Sequence, residues 1–154
     1  MFSQKTIQLF HLFSYLAVNC QLLFYLLVFA DALKETPLSN FLIHRQAVDR
    51  IIARRYRIIY YTCLIASLLM VIVSLFQSDF TLIVTSSIAL LCLIVDLVIT
   101  LRINVPLNTM IHTYVVGDDL EKWEPVRAKW IRYFRYRGVI STIGIICVLI
   151  GLVY

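Results

Sequence analysis

At 154 residues, 61% of them hydrophobic and 15% charged, the chain is one domain long and much more apolar than a soluble domain. So short a chain has too little interior to hide that much apolar side chain, which excludes an ordinary water-soluble globule and makes lipid the expected solvent. Fourteen Lys and Arg oppose nine Asp and Glu, for a net charge of +5; no nucleic-acid motif accompanies that charge, so it reads as membrane orientation and phospholipid contact, with no nucleic-acid partner.

In chain order, the first apolar run extends from about Ile7 to Ala30. It is too long for the apolar region of a signal peptide, and no small-residue cleavage site follows it, so it is expected to span. The second run, Ile58 to Phe76, holds no charge, and the third, Phe80 to Leu101, holds only Asp96. The fourth, Val139 to Tyr154, is a few residues short of a span. Tyr133, Phe134 and Tyr136 precede it, and such rings suit the headgroup layer. The expected fold is therefore all-α: a single four-span membrane bundle over residues 1–154, with amphipathic helical segments between the spans.

Only Gln77, Ser78 and Asp79 separate the second and third runs, which predicts a tight antiparallel hairpin. The other connections are longer, about 31–57 and 102–137. The first carries Lys34, Arg45, Arg50, Arg54, Arg55 and Arg57; the second carries Arg102, Lys122, Arg127, Lys129, Arg132, Arg135 and Arg137. An even number of spans puts both on one side, and the positive-inside rule makes that side cytoplasmic. The expectation is a multi-pass protein of the cell membrane with both termini outside. After Pro37, Ser39 or Asn40 is a candidate N-cap, followed by His44, Val48, Ile51 and Arg55 on one helical stripe. Gly117-Asp118-Asp119 signals a turn before a helix that runs into the fourth span.

Chemistry concentrates in three places. At about 100° per residue, Trp123, Arg127, Trp130, Phe134 and Arg137 fall within roughly an 80° arc, with Lys129, Arg132 and Tyr136 facing away. Arginines sharing a stripe with large rings suit either the mouth of a ligand pocket or a membrane anchor, with Trp at the headgroups and Arg on phosphate. Asn104 and Asn108 share a face around Pro106, which removes a backbone donor; their amides suit either local repair of a kink or a ligand carbonyl or hydroxyl. Asp96 is a carboxylate inside a span, a candidate general base or an interhelical partner, with Thr100 and Asn104 continuing its face. His11, Tyr15 and Asn19 form a similar stripe in the first run. Asn19, Asp96, Thr100, Asn104 and Arg137 would together line one polar path. The histidines have no metal-ligand spacing, and Cys20, Cys63, Cys92 and Cys147 read as small, buried, reduced thiols in apolar runs, so no cofactor is expected.

The string Asn104-Val-Pro-Leu-Asn108, then Trp123, Arg127 and Trp130, then Arg132, Arg137 and an apolar terminal helix, resembles the anthrone oxygenase-like family of small four-span membrane proteins. The resemblance covers about the C-terminal third. Most members of that family are of unknown function; fungal members oxidise polycyclic anthrones to anthraquinones without an evident metal or flavin. It implies a site at Asn104, Asn108 and Arg137. One departure is Phe134, where family members often carry a histidine.

Three functional readings follow. The first is a binding or accessory protein whose cytoplasmic-side pocket (Asp96, Asn104, Asn108, Arg127, Trp130, Arg137) holds a lipophilic ligand, or a subunit partnered by its own copy or another membrane protein. The second is cofactor-free oxidation of a phenolic or anthrone-like ring, with Arg137, Asn104 and Asn108 stabilising a developing phenolate. The third is a transporter or proton path through Asp96, disfavoured by the lack of an inverted repeat.

Overall fold

The computed structural model describes residues 4–153. Helix α1 (Gln4–Phe24) passes through a π-helical turn, Tyr25–Phe29, into α2 (Ala30–Glu35). Thr36 is extended, ψ 134°, because the Pro37 ring disfavours a helical residue before it, and the rod ends there. Helix α3 (Leu38–Gln77) starts at once and runs for 40 residues. The caps expected at Ser39 or Asn40 are thus corrected: both lie inside the helix, because Pro37 is itself the boundary residue and leads straight into it. Ser78, at φ 55°, closes α3, and the Asp79 carboxylate accepts a hydrogen bond from the Leu82 N–H at 3.1 Å to open α4 (Phe80–Ile99). This is the tight hairpin expected. A second π turn, Thr100–Asn104, leads into α5 (Val105–Ile111); Gly117, at φ 101°, turns the chain, and a short 3₁₀ turn, Glu121–Trp123, starts α6 (Glu124–Val153).

Four helical rods are long and apolar enough to cross a membrane: Gln4–Glu35, Arg54–Gln77, Phe80–Ile111 and Glu121–Val153. They exceed the runs read from hydropathy, because helix continues into the polar connections at both long loops. Tyr154, which the fourth run included, lies outside the described residues. The rods pack in a closed ring, each against the next and α6 against α1, with α4 and α6 forming the most extensive interface.

The bundle carries apolar groups outside and polar groups inside. Phe13, Leu27, Ile58, Phe76 and Phe80 are all more than 60% exposed. A soluble monomer rarely shows so continuous an apolar surface. The interior is stitched by polar bonds: His11 to Ser67 at 3.0 Å, Asn19 to Ser141 at 3.1 Å, and the Tyr15 hydroxyl to the Ala89 carbonyl at 3.1 Å. Such bonds hold apolar helices together where no hydrophobic gradient drives them. The stripe of His11, Tyr15 and Asn19 therefore faces inward as expected, yet each residue bonds a different helix. Cys63 is buried, but Cys20 is exposed, which corrects its assignment to the interior: it lies on the outward side of α1.

Small residues on α6 set the closest approaches. A Cβ on Gly144 would collide with the Tyr15 hydroxyl, and one on Gly138 would stand 2.8 Å from the Leu26 Cβ. Gly144→Ala is expected to displace the buried Tyr15 ring from Ala89 and to destabilise the protein by about 1–3 kcal/mol, the usual range for overpacking. Thermal unfolding in detergent measures this; an unchanged midpoint would show that Tyr15 has room to move.

Candidate functional site

The stripe on α6 is the centre of the site. Trp130 is fully buried, stacked on Phe134 at 4.4 Å and flanked edge-on by Tyr25 at 5.8 Å and Phe41 at 5.9 Å. Its indole N–H donates to the Asn108 carbonyl oxygen at 2.9 Å, and the Arg45 guanidinium lies over its ring at 4.4 Å. The inward and outward faces fall where the periodicity placed them: Trp123, Trp130, Phe134 and Arg137 are buried, and Lys129, Arg132 and Tyr136 are exposed. Phe134 is corrected in one respect. It packs on Trp130 and Tyr25 within the bundle rather than in a headgroup layer, because its arc is that of Trp130.

Arg137 and Asp96 meet. The guanidinium Nε donates to the carboxylate at 2.6 Å, with the two side chains 6% and 1% exposed. The Tyr60 hydroxyl lies 2.8 Å from the other carboxylate oxygen and 2.8 Å from the Leu93 carbonyl, its one proton shared between the two acceptors. Asp96 is thus a matched ion-pair partner with both oxygens engaged, an arrangement suited to joining α3, α4 and α6 rather than to taking a proton from a substrate. The Arg137 plane also faces the Phe134 ring at 4.8 Å.

Asn104 and Asn108 part company. Asn108 is engaged at both ends: its NH₂ donates to Asp49 at 2.8 Å, and its oxygen accepts from Trp130 and, at 3.4 Å, from Arg45. Asn104 is 2% exposed, and neither its amide oxygen nor its amide nitrogen has a hydrogen-bond partner. The backbone disturbance at Pro106 is absorbed by the π turn, in which the Val105 N–H reaches the Thr100 carbonyl, so the Asn104 amide is not used as the repair. Thr100 closes on the Asp96 carbonyl at 2.8 Å, which takes its hydroxyl out of the polar path drawn through it from sequence. Helical rise places Asn104 between two levels along its helix, about 6 Å from Asn108 and about 12 Å from Asp96. Both π turns, the one holding Asn104 and the one holding Tyr25, pack on α6. Such turns occur often where a helix serves a site.

Arg127 lies apart. Its guanidinium donates to the Thr36 carbonyl at 2.7 Å and to Glu124 at 2.7 Å, so it caps the end of α2 and pins the Thr36-Pro37 break to α6.

Periodicity missed a second polar cluster. Asp49 bonds Asn108, His112 at 3.0 Å and Arg45 at 3.5 Å, and Arg45 is 5% exposed. Burial lowers the pKa of Arg45 from its usual value. The segment is helical as expected, and the stripe of His44, Val48, Ile51 and Arg55 is its outward side, with His44, Ile51 and Arg55 exposed; the buried face is Phe41, Leu42 and Arg45. A signal was present in Arg45 and Asp49, an opposite-charge pair four residues apart. Asp49→Ala would leave Arg45 as an uncompensated buried charge and is expected to destabilise by about 3–5 kcal/mol. Chemical unfolding should register that loss, with Asp49→Asn less affected because the amide still accepts from Arg45. Equal losses in the two variants would show that charge, not hydrogen bonding, is what Asp49 supplies.

Among the described residues, no group of three or more His, Cys, Asp or Glu is placed to hold a metal ion. The structure thus defines an all-helical chain with four rods of membrane-crossing length and a buried polar and aromatic seam between α3, α4, α5 and α6. Comparison of the chain with protein-family models, with curated proteins and with solved structures finds no match.

Proposed function

We propose that the chain is a four-span integral membrane protein of the cell membrane that binds a lipophilic molecule bearing a hydroxyl or carbonyl group at Asn104. The basic connections lie in the cytoplasm and both termini outside, by the distribution of Lys and Arg. The observation that carries the binding reading is the Asn104 amide, buried with neither donor nor acceptor engaged. Buried polar groups are nearly always paired, and one that is not calls for an explanation: strain, a chemical role, or a bound water, ion or ligand. The π turn that holds Asn104 packs on α6, the helix that carries the Trp130–Phe134 stack, and the resemblance to the anthrone oxygenase-like family suggests a phenolic or quinonoid ring. Entry is expected at the two π turns, where a one-residue change of hydrogen-bond register moves the helix wall.

Binding is favoured over oxidation and over proton transfer by one feature: Asp96 is held by both Arg137 and Tyr60, which leaves no free carboxylate to act as a base. The test is extraction of the protein purified in mild detergent, followed by mass spectrometry of wild type and Asn104→Leu. A discrete small molecule present in wild type and absent from the folded variant is the expected result. The same bulk phospholipid in both would overturn the reading.

A further inference from the structure

A half-open groove of about 570 Å³ lies where the end of α2 meets α6, lined by Lys34, Glu124, Arg127, Arg132, Arg135 and Tyr136 together with Ala128 and Ile131. Four cations face it. Glu124 engages Arg127, and Asp31 engages both Lys34, at 3.1 Å, and Arg135, so two carboxylates offset four positive groups. Arg132 is exposed and makes no ion pair among the described residues, and the Nε of Arg135 is buried with no acceptor. An anion therefore finds an excess of positive charge and, at exposed Arg132, donors not committed to a carboxylate, while the buried Arg135 Nε is out of its reach.

What lies beyond the groove decides what carries that anion. From Arg132, the helical stripe continues through Tyr136, Val139, Ile143, Ile146 and Ile150, all exposed and within roughly an 80° arc. On the first rod, Lys34 stands above exposed Leu27 and Phe24. A basic recess at the top of a continuous apolar ridge, with a tyrosine at the junction, is complementary to a charged headgroup with hydrocarbon chains below it. An acidic peptide or a free phosphate ester would contact the recess alone, whereas a phospholipid would contact the recess and the ridge together.

We infer that this groove is a binding site for an anionic phospholipid of the cytoplasmic leaflet, its phosphate held by Lys34, Arg132 and Arg135 and its acyl chains lying along α6. The inference rests on the membrane orientation proposed above, but not on the ligand at Asn104. Anionic lipids concentrate in the leaflet that this orientation assigns to the groove.

The test uses full-length protein reconstituted in bilayers of equal phosphatidylglycerol and phosphatidylcholine, released and weighed by native mass spectrometry with its retained lipids. Wild type is expected to retain phosphatidylglycerol preferentially. The Lys34→Gln/Arg132→Gln variant spares the Asp31–Arg135 and Glu124–Arg127 bonds, so it keeps the fold; it should lose about fivefold preference for each cation removed. Equal retention of the two lipids by wild type, or an unchanged preference in the variant, would overturn the site. Displacement of the lipid by glycerol phosphate at matched concentration would show that the groove recognises phosphate alone, and would overturn the lipid assignment. Alkaline carbonate extraction of native membranes separates the two levels. Protein that resists extraction without lipid preference refutes only the groove; protein that washes off refutes the membrane reading itself.

Discussion

Asn104→Leu is expected to raise the stability of the ligand-free protein while abolishing its binding. A buried amide with neither atom bonded carries a desolvation penalty of about 1–3 kcal/mol, and an apolar side chain of similar branching removes it. Leucine is somewhat larger than asparagine, and overpacking takes back part of the gain. The net expectation is a gain of about 1–2 kcal/mol, or a rise of about 3–6 °C in Tm for a chain of this length. The measurement is the thermal midpoint in detergent after small molecules have been stripped off. Returning the organic extract should then stabilise wild type by mass action and leave the leucine variant unmoved. That crossover, the variant more stable when bare and wild type more stable when loaded, is the signature of a polar group kept for a ligand. A leucine variant less stable than bare wild type would mean that Asn104 has a structural partner, such as a fixed water, and would remove the basis of the binding reading.

The second large effect concerns the pair at the foot of the site. Arg137→Met leaves the Asp96 carboxylate buried with only Tyr60 beside it, and is expected to destabilise by about 3–5 kcal/mol. Asp96→Leu does the same to Arg137. The paired replacement, Asp96→Leu/Arg137→Met, removes both charges and fills the space with apolar atoms. It is expected to return to within about 1 kcal/mol of wild type, because replacing a whole buried pair is often neutral. Unfolding of all four proteins in one detergent forms the double-mutant cycle. A paired variant as unstable as either single one would show that Asp96 and Arg137 each serve separate partners. Ligand retention in the paired variant, assayed with the same extract, would show that the pair positions helices and does not touch the ligand.

The four rods could be read from composition and hydropathy because a bilayer-length apolar run is a local property, legible within one stretch of chain. The inward stripe of α6 was legible for the same reason: 3.6-residue periodicity is local, and Trp123, Trp130, Phe134 and Arg137 do share one buried arc. Arg45 shows where that reading stops. Six basic residues in the first connection are equivalent when counted as charge, yet one of them turns under Trp130 and is buried while Arg50, Arg54, Arg55 and Arg57 remain exposed. Only the packing of α3 against α5, with Phe41 and Arg45 reaching Trp130, makes that distinction.

The sequence by itself determined the apolar character and the number of the rods, the hairpin at Ser78 and the face of α6 that turns inward, because each is legible within one stretch of chain. The tertiary structure alone decided the pairings. Asp96 and Arg137 are 41 positions apart, Asp49 and Asn108 are 59, and a local pattern holds no information about which rod lies opposite. It also decided that two asparagines four residues apart differ in kind. Asn108 meets Trp130, Arg45 and Asp49, while Asn104, one helical turn below in the π turn, is buried with neither its donor nor its acceptor engaged.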